Sequence, residues 1–421
     1  MDKFVINGGK KLSGRVAVSG AKNSSLALMP ATLLNSGINQ ISNTPEVNDI
    51  YTMIKLLENL GVKADFENHN LRLDTTGINS QTAPYEHVKK MRASVYVLGP
   101  LLSRFGKAKV SLPGGCAWGP RPINLHLESL KKMGAKIEIE EGYIIAKAKK
   151  LQGAHIHFDV SSVGATGNVL MAASLAKGET MITNAAIEPE ITQLAEYLVQ
   201  MGAEIEGIGT STIKVQGVDE LFSADIRNIS DRIECGTLLI AAAMTKSKIE
   251  VEYEHIDHIN AVINKLEESG VKIKFEDNVI YVDAKGLKPT SIDVTTGIYP
   301  GFPTDMQAQW TTYMCLADNS SKMKDTIYYD RFKHVPELNR LGANIEIIEN
   351  TAIIKGVKKL KGAKVMSTDL RASASLVLAG LVAEGTTEVL RIYHLDRGYQ
   401  RIEEKLKELG ADITRVKGAE Y

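Results

Sequence analysis

Cysteine is scarce in this chain. Cys116, Cys235 and Cys315 are its only three, an odd, sparse set that fits a reducing compartment better than a disulfide framework. Net charge is missing as well, because 50 Lys and Arg offset 50 Asp and Glu. No global field therefore draws the chain to nucleic acid or to an anionic membrane surface, and any anion site must be local. The apolar run Leu238 to Met244 falls far short of the roughly 20 residues that span a bilayer, and no longer one stands out. Residues Met1 to Gly9 lack the apolar stretch and small-residue cleavage site of a signal peptide, so the expected location is the cytoplasm. No Walker loop or dinucleotide fingerprint occurs, since Gly207-Ile208-Gly209 lacks the third glycine. No acylation triad presents itself. His155 and His157 could share one face of a strand but have no third ligand nearby, and His255 and His258 read as polar loop and helix residues. No metal and no cofactor are expected.

What the chain does have is repetition. Its 421 residues, 44% hydrophobic and 24% charged, have globular composition and the length of about two domains. A Leu/Met-Gly-Ala/Val phrase recurs six times, at Gly61, Gly134, Gly202, Gly270 (with Ser269 before it), Gly342 and Gly410, at intervals of 73, 68, 68, 72 and 68 residues. Each glycine suits a left-handed helix C-cap, and an alternating stretch such as Lys136 to Glu140 follows as a strand. Upstream of each capped helix lies a run that is apolar nearly all round, as in Val169 to Ala176, Leu238 to Met244 and Leu376 to Ala383, the pattern of a buried helix. The capped helices mix charge with periodic apolar residues, as in Ile402 to Leu409. With strands such as Glu179 to Thr183 and Thr386 to Arg391 between the two helices, each unit reads helix, strand, helix, hairpin. Pro30 interrupts the first apolar helix, where a kink is expected.

Simple lengths say where function should sit. A 12-residue helix spans about 18 Å and a six-residue strand about 20 Å. A strand returning antiparallel to its helix therefore ends beside that helix's N-terminus, where N–H groups and the dipole attract anions. Four of the six buried-helix starts carry a cation: Lys22, Arg92, Arg232 and Arg371. A cation there opposes the dipole at a cost of roughly 0.3–1 kcal/mol, which suggests an anion to be bound. The alternative is that these side chains pair with neighbouring Asp or extend into solvent. Among the loops after the strands, the stretch Pro113 to Pro122 is unusual, because Gly114-Gly115 beside Cys116 would let the backbone approach a ligand or move as a lid. Cys235 and Cys315 lie on apolar helices and read as small core residues. Cys116, in its loop, is either functional or a plain surface thiol.

Six segments together resemble the family of UDP-N-acetylglucosamine enolpyruvyl transferases: Ser19 to Asn23, Met91 to Ser94, Pro113 to Cys116, Ser162 to Thr166, Pro300 to Gln307 and His394 to Tyr399. The resemblance covers essentially the whole chain. It implies an α/β fold, a two-domain inside-out α/β barrel of six repeated units, three per domain with pseudo-threefold symmetry. One domain would comprise residues 1–20 plus 230–421, with Asp305, Arg371 and Arg397; the other, residues 21–229, would carry the mobile Cys116 loop. It implies transfer of the enolpyruvyl group of phosphoenolpyruvate to UDP-N-acetylglucosamine, the opening of peptidoglycan synthesis and the reaction that fosfomycin blocks. Catalysis would rest on Cys116, Asp305, Lys22 and Arg397. Lys22, Asn23, Arg121, Arg331, Arg371 and Arg397 would bind phosphoenolpyruvate. The nucleotide sugar would meet Asn23, Arg92, Arg121, Pro122, Ile123, Asn124, Leu125, Ser162, Val163, Gly164, Asp305 and Ile327. Asp305 would act as base, by positioning and with some upward pKa shift from desolvation.

The chain departs from the family's pattern at Asn124, usually Asp, at Trp118, usually smaller, and at Tyr329, usually Glu. Two other readings stay open at this point: the sister enzyme acting on shikimate 3-phosphate, and a non-catalytic paralogue that binds UDP-N-acetylglucosamine as a regulator. No nucleic acid or membrane partner is expected. The oligomeric state is open, a monomer being compatible with the sequence.

Overall fold

Six helices end in the same way. In the computed structural model, which describes residues 2–89, 91–112 and 123–418, Gly61, Gly134, Gly202, Gly270, Gly342 and Gly410 all have φ between +90° and +105°. The residue after each glycine donates its N–H to the carbonyl of a leucine five positions back, at 2.9–3.1 Å: Leu57, Leu130, Leu198, Leu266, Leu338 and Leu406. Each glycine donates to the carbonyl three back, completing a Schellman cap. All six leucines are buried, so the cap is anchored in the core.

Five repeats have the expected order, and the sixth has a single strand, Asp412–Val416, after its capped helix in place of the hairpin. In the third, the helix Val163–Ser174, the strand Glu179–Thr183, the helix Pro189–Gln200 and the strands Glu204–Glu206 and Thr212–Gln216 follow one another. Among the described residues the strands form six four-stranded sheets. Each has a lead-in strand parallel to the inter-helix strand, followed by two antiparallel neighbours. Two lead-in strands are exchanged. Ser13–Ala17 leads into the helix Lys22–Ala31 yet pairs with Lys248–Glu252, whereas Asp225–Arg227 leads into Arg232–Met244 yet pairs with Ile38–Ser42. Lys3–Asn7 fills the gap between Thr386–Leu390 and Asp412–Val416. The chain accordingly divides into two compact units, Met1–Ser19 with Ser230–Tyr421, and Gly20–Ile229.

Each unit has its own apolar core. In the discontinuous unit the three helices Arg232–Met244, Gln307–Met314 and Leu370–Val382 pack on one another. Ile233 to Met244 are buried without exception, because that helix has neighbours on every side. Cys235 and Cys315 are fully buried, as their apolar surroundings in sequence predict, and burial pushes both thiols up, that of Cys315 to about 12. Pro30 stands one residue before the end of Lys22–Ala31, where the chain tightens into the 3-10 turn Thr32–Leu34. It marks the helix end and does not kink its middle. Among the described residues no helix is long and apolar enough to cross a membrane.

Two buried histidines give the fold a pH dependence. Burial pushes His126 down to about 4 and His334 to about 3, with Arg92 and Arg331 respectively adding to the effect. Both are neutral in the fold, whereas the unfolded chain takes up their protons below the ordinary histidine pKa of about 6.5. Stability is therefore complete above that value and is lost as pH falls from it toward the folded values, by on the order of 1.4 kcal/mol per pH unit for each histidine. We expect the urea midpoint to drop between pH 7 and pH 5, and the pH slope to flatten in His126→Gln and His334→Gln. An unchanged slope in the double variant would mean that other groups control it.

Candidate active site

The helix starts and the loops after the strands do meet. In the fifth repeat, the turn Thr304–Met306 ahead of the Gln307–Met314 helix lies against the loop that follows the strand Ser320–Lys324. Asp325 ties them, with one carboxylate oxygen accepting from the Thr304 hydroxyl at 2.7 Å and the other from the Ile327 and Tyr328 N–H groups at 2.9 Å. Asp305 stands beside Thr304. Its Oδ1 is 2.7 Å from Arg331, and its Oδ2 accepts a hydrogen bond from Arg371 at 2.7 Å. Arg331 also donates to the Thr304 hydroxyl at 3.0 Å. Ile327, at the rim, is 37% exposed, and Tyr329 is exposed too.

Arg371 is buried at the second position of the Leu370–Val382 helix, whose N-cap Asp369 accepts from the Arg371 and Ala372 N–H groups. Its guanidinium lies 5.5 Å from the Tyr399 ring centroid, and the Tyr399 hydroxyl bonds Thr237 at 2.8 Å and Gln309 at 3.1 Å. Thus one residue from each of the three central helices contributes to the floor of the site. Burial by itself would raise the Asp305 pKa, but Arg371 and Arg331 outweigh it and hold the carboxyl well below its usual range. The upward shift expected from desolvation is corrected here: two guanidiniums at contact distance exceed the burial penalty. The same ion pair pushes Arg371 further up, against burial.

Arg397 closes the 3-10 turn Ile392–Arg397 and is half-buried. The preceding Asp396 is gripped by Arg415 through two bonds of 3.1 and 2.6 Å, and Arg415 also bonds Glu403 at 2.6 Å and stacks 5.1 Å from the Phe4 centroid. That clamp fixes the turn carrying Arg397.

In the unit Gly20–Ile229, Lys22 opens its helix and pairs with Asp49 at 2.8 Å, both side chains largely buried, the neighbouring-carboxylate arrangement that the sequence left as an alternative. Gly20 explains part of its motif, since a Cβ there would meet the Asn43 carbonyl oxygen at 1.6 Å. Only glycine lets the loop after the strand Ile38–Ser42 pass this close to the helix start. Asn23 is exposed beside Lys22. Ser162 caps the Val163–Ser174 helix by accepting from Ala165, Val163 is exposed, and a Cβ on Gly164 would crowd the His126 ring at 3.0 Å. Ile123, Asn124 and Leu125 form the start of the Asn124–Lys132 helix that carries His126. Arg92 begins the 3-10 turn Arg92–Val97.

Asn168 holds these starts together. Its amide accepts from Gly99 N–H at 2.8 Å and donates to the Val95 carbonyl at 3.1 Å and to His126 Nδ1 at 2.9 Å. Because the neutral His126 accepts at Nδ1, its proton sits on Nε2, the nitrogen beside Gly164. Cys116, Trp118, Arg121 and Pro122 lie outside the described residues. Sequence reasoning missed Asp325, Asn168, Asp49 and Arg415, which act through other side chains; only the N-cap Asp369, two residues ahead of Arg371, had a local signature.

Within the discontinuous unit such an arrangement favours an anion: Arg331 and Arg371 flank one carboxylate, and Arg397 is a further cation on a turn held in place by its neighbours. Comparison with known proteins agrees in kind. A family model described as EPSP synthase (3-phosphoshikimate 1-carboxyvinyltransferase) matches residues 6–406. A UDP-N-acetylglucosamine 1-carboxyvinyltransferase of Chloroherpeton thalassium is 57% identical over 99% of this chain and 97% of its own. One from Geotalea uraniireducens is 56% identical over 99% of this chain and 100% of its own. Among solved structures, the enolpyruvyl transferase NikO from Streptomyces tendae aligns with a TM-score of 0.89 at 23% identity, covering 99% of both chains. EPSP synthase from Acinetobacter baumannii aligns at 0.75 with 18% identity, covering 99% of this chain and 100% of its own. These two likenesses establish the two-domain inside-out α/β barrel. By fold, family model and full-length identity, the chain belongs to the enolpyruvyl transferase family, among the UDP-N-acetylglucosamine 1-carboxyvinyltransferases.

Proposed function

We propose that this chain transfers the enolpyruvyl group of phosphoenolpyruvate to the 3-hydroxyl of UDP-N-acetylglucosamine, releases phosphate, and so opens peptidoglycan synthesis in the cytoplasm without a cofactor. The observation that carries this reading is the Asp305 carboxylate held between Arg331 and Arg371, a base and two carboxylate-binding groups at one point. Arg331, Arg371 and Arg397 take the carboxylate of phosphoenolpyruvate; Lys22, Arg121 and Arg397 take its phosphate, assisted by Asn23. The nucleotide sugar lies on Asn23, Arg92, Arg121 to Leu125, Ser162 to Gly164, Asp305 and Ile327. The sugar oxygen bonds to C2 as Asp305 takes its proton and Cys116 protonates C3. In the second half, C3 loses a proton, the double bond re-forms, and the bond from C2 to the phosphate oxygen breaks.

The shikimate 3-phosphate reading draws on the name of the family model, but the relatives at 55–57% identity that carry the nucleotide-sugar name favour UDP-N-acetylglucosamine. A regulatory paralogue would have no use for Asp305 held by two arginines.

Phosphate release with both substrates tests the reading directly: we expect turnover with UDP-N-acetylglucosamine and none with shikimate 3-phosphate. Tight UDP-N-acetylglucosamine binding without release would favour the regulator. Asp305→Asn should lower turnover by roughly 10²–10⁴-fold, the usual worth of a positioned base, with nucleotide-sugar affinity within a few-fold of the parent; a larger loss of affinity than of turnover would assign Asp305 to binding alone.

Arg415→Met should raise the KM for phosphoenolpyruvate on the order of tenfold, a modest figure because a partly exposed arginine is screened, while leaving UDP-N-acetylglucosamine affinity unchanged, and Arg415→Lys should restore part of the loss. If both affinities fall together, Arg415 serves general stability and does not position Arg397.

Cys116→Asp keeps an acid but removes the sulfur nucleophile. We expect that variant to retain turnover and to escape the covalent adduct that an epoxide phosphonate of the fosfomycin type forms on the parent chain. Mass spectrometry locates the adduct, and finding it on Cys235 or Cys315 would show that the wrong thiol has been chosen.

A further inference from the structure

The loop after the fourth repeat's strand has a chemistry that the reaction does not use. His255 precedes and His258 lies within a 3-10 turn, Ile256–Ile259, in which the His258 N–H bonds the His255 carbonyl at 3.0 Å. Three residues per turn place side chains i and i+3 one above the other. Accordingly the two imidazoles stack with centroids 4.6 Å apart and planes at 24°. Asp257 and Glu254 stand beside them, with Asp257 Oδ2 3.9 Å from His258 Nε2 and Glu254 Oε2 4.0 Å from His255 Nε2. Ligand atoms of His255, Asp257 and His258 all lie within 4.8 Å of one another. Among the described residues no other His, Cys, Asp and Glu side chains form such a group of three. The other close histidine pair is engaged differently: His155 and His157 both bond the Thr183 hydroxyl, at 3.2 and 2.9 Å.

We propose that His255, Asp257 and His258, with Glu254 beside them, form a site for a divalent transition-metal ion of the zinc type. Two imidazoles and a carboxylate suit zinc, nickel or copper and do not suit magnesium or calcium, which favour oxygen ligands alone. An ion about 2.1 Å from each donor needs donors about 3.4 Å apart. The remaining gap, at most about 1.4 Å from 4.8 to 3.4 Å, is closed by rotating Asp257 and His255, both exposed side chains. The two carboxylates balance the ion's charge. Arg232, among the described residues the one cation lining the small cavity shared with Asp257, His258 and Tyr299, directs its guanidinium over the Tyr299 ring at 5.5 Å. The ion would bind the loop to the start of the Asn260–Glu268 helix.

The test uses the full chain without an affinity tag, stripped with a chelator and titrated with zinc sulfate by calorimetry. One ion should bind per chain. His255→Gln/His258→Gln should weaken binding roughly tenfold or more, since losing even an outer-shell partner costs 10–100-fold, while His155→Gln/His157→Gln should leave it unchanged. Cobalt should give a visible spectrum without a thiolate charge-transfer band. The proposal is overturned by the absence of stoichiometric binding, by equal affinity in the His255/His258 double variant, or by a thiolate band, which would place the ion on a cysteine.

Discussion

Arg371 is a full positive charge buried at the positive end of a helix, and the carboxylate of Asp305 makes that arrangement tolerable. A cation at a helix N-terminus opposes the dipole by up to about 2 kcal/mol where partly buried, and an uncompensated buried charge is worse, at about 3–5 kcal/mol when a partner is lost. The 2.7 Å contact with Asp305, the Asp369 cap and the Tyr399 ring together offset this. Beneath them, Thr237 and Gln309 bond the Tyr399 hydroxyl from the other two central helices. The site therefore depends on the mutual packing of three buried helices, so a substitution deep in Arg232–Met244 or Gln307–Met314 can act at Asp305 through Tyr399 without touching a substrate.

Repetition supplies the frame, and departure from repetition supplies the chemistry. The six caps have the same two hydrogen bonds, the same φ and the same buried leucine. The helix starts differ. Asp231 and Asp369 cap theirs with two backbone bonds each and Ser162 with one, whereas the Lys22 helix, preceded by Ala21, has no side-chain cap and no acid in its first turn. A repeat that gives up a stabilising cap worth about 1 kcal/mol and places Lys at the same point has been shaped by something other than stability.

Legibility in the sequence followed the range of the interaction. The glycine caps, the buried helices and the helix-strand-helix-hairpin order are local, set by residues within a few positions of one another, and could be read from spacing alone. The meeting of helix starts with loops followed from element lengths. The strand exchange could not be read, because Ser13–Ala17 and Asp225–Arg227 carry no mark of which sheet they will join. Arg415 looks like any solvent-facing strand residue, and its clamp on Asp396 and Glu403 exists only once Lys3–Asn7 has brought Phe4 beneath it. Asp325 and Asn168 are single polar residues whose partners are brought together only by folding.

The Asp305 pKa shows how such tertiary placement changes chemistry that residue type alone suggests. Desolvation alone argues for a stronger base, and the paired arginines reverse the sign. Under the proposed function that reversal acquires a purpose. Phosphoenolpyruvate brings a carboxylate that competes with Asp305 for the same two guanidiniums, which prefer planar bidentate partners. As the substrate carboxylate takes them, Asp305 loses the cations that held its pKa down while keeping its burial, and its affinity for a proton rises. The base therefore gains strength only in the company of the substrate it serves, so the sugar hydroxyl is not deprotonated before an acceptor is in place.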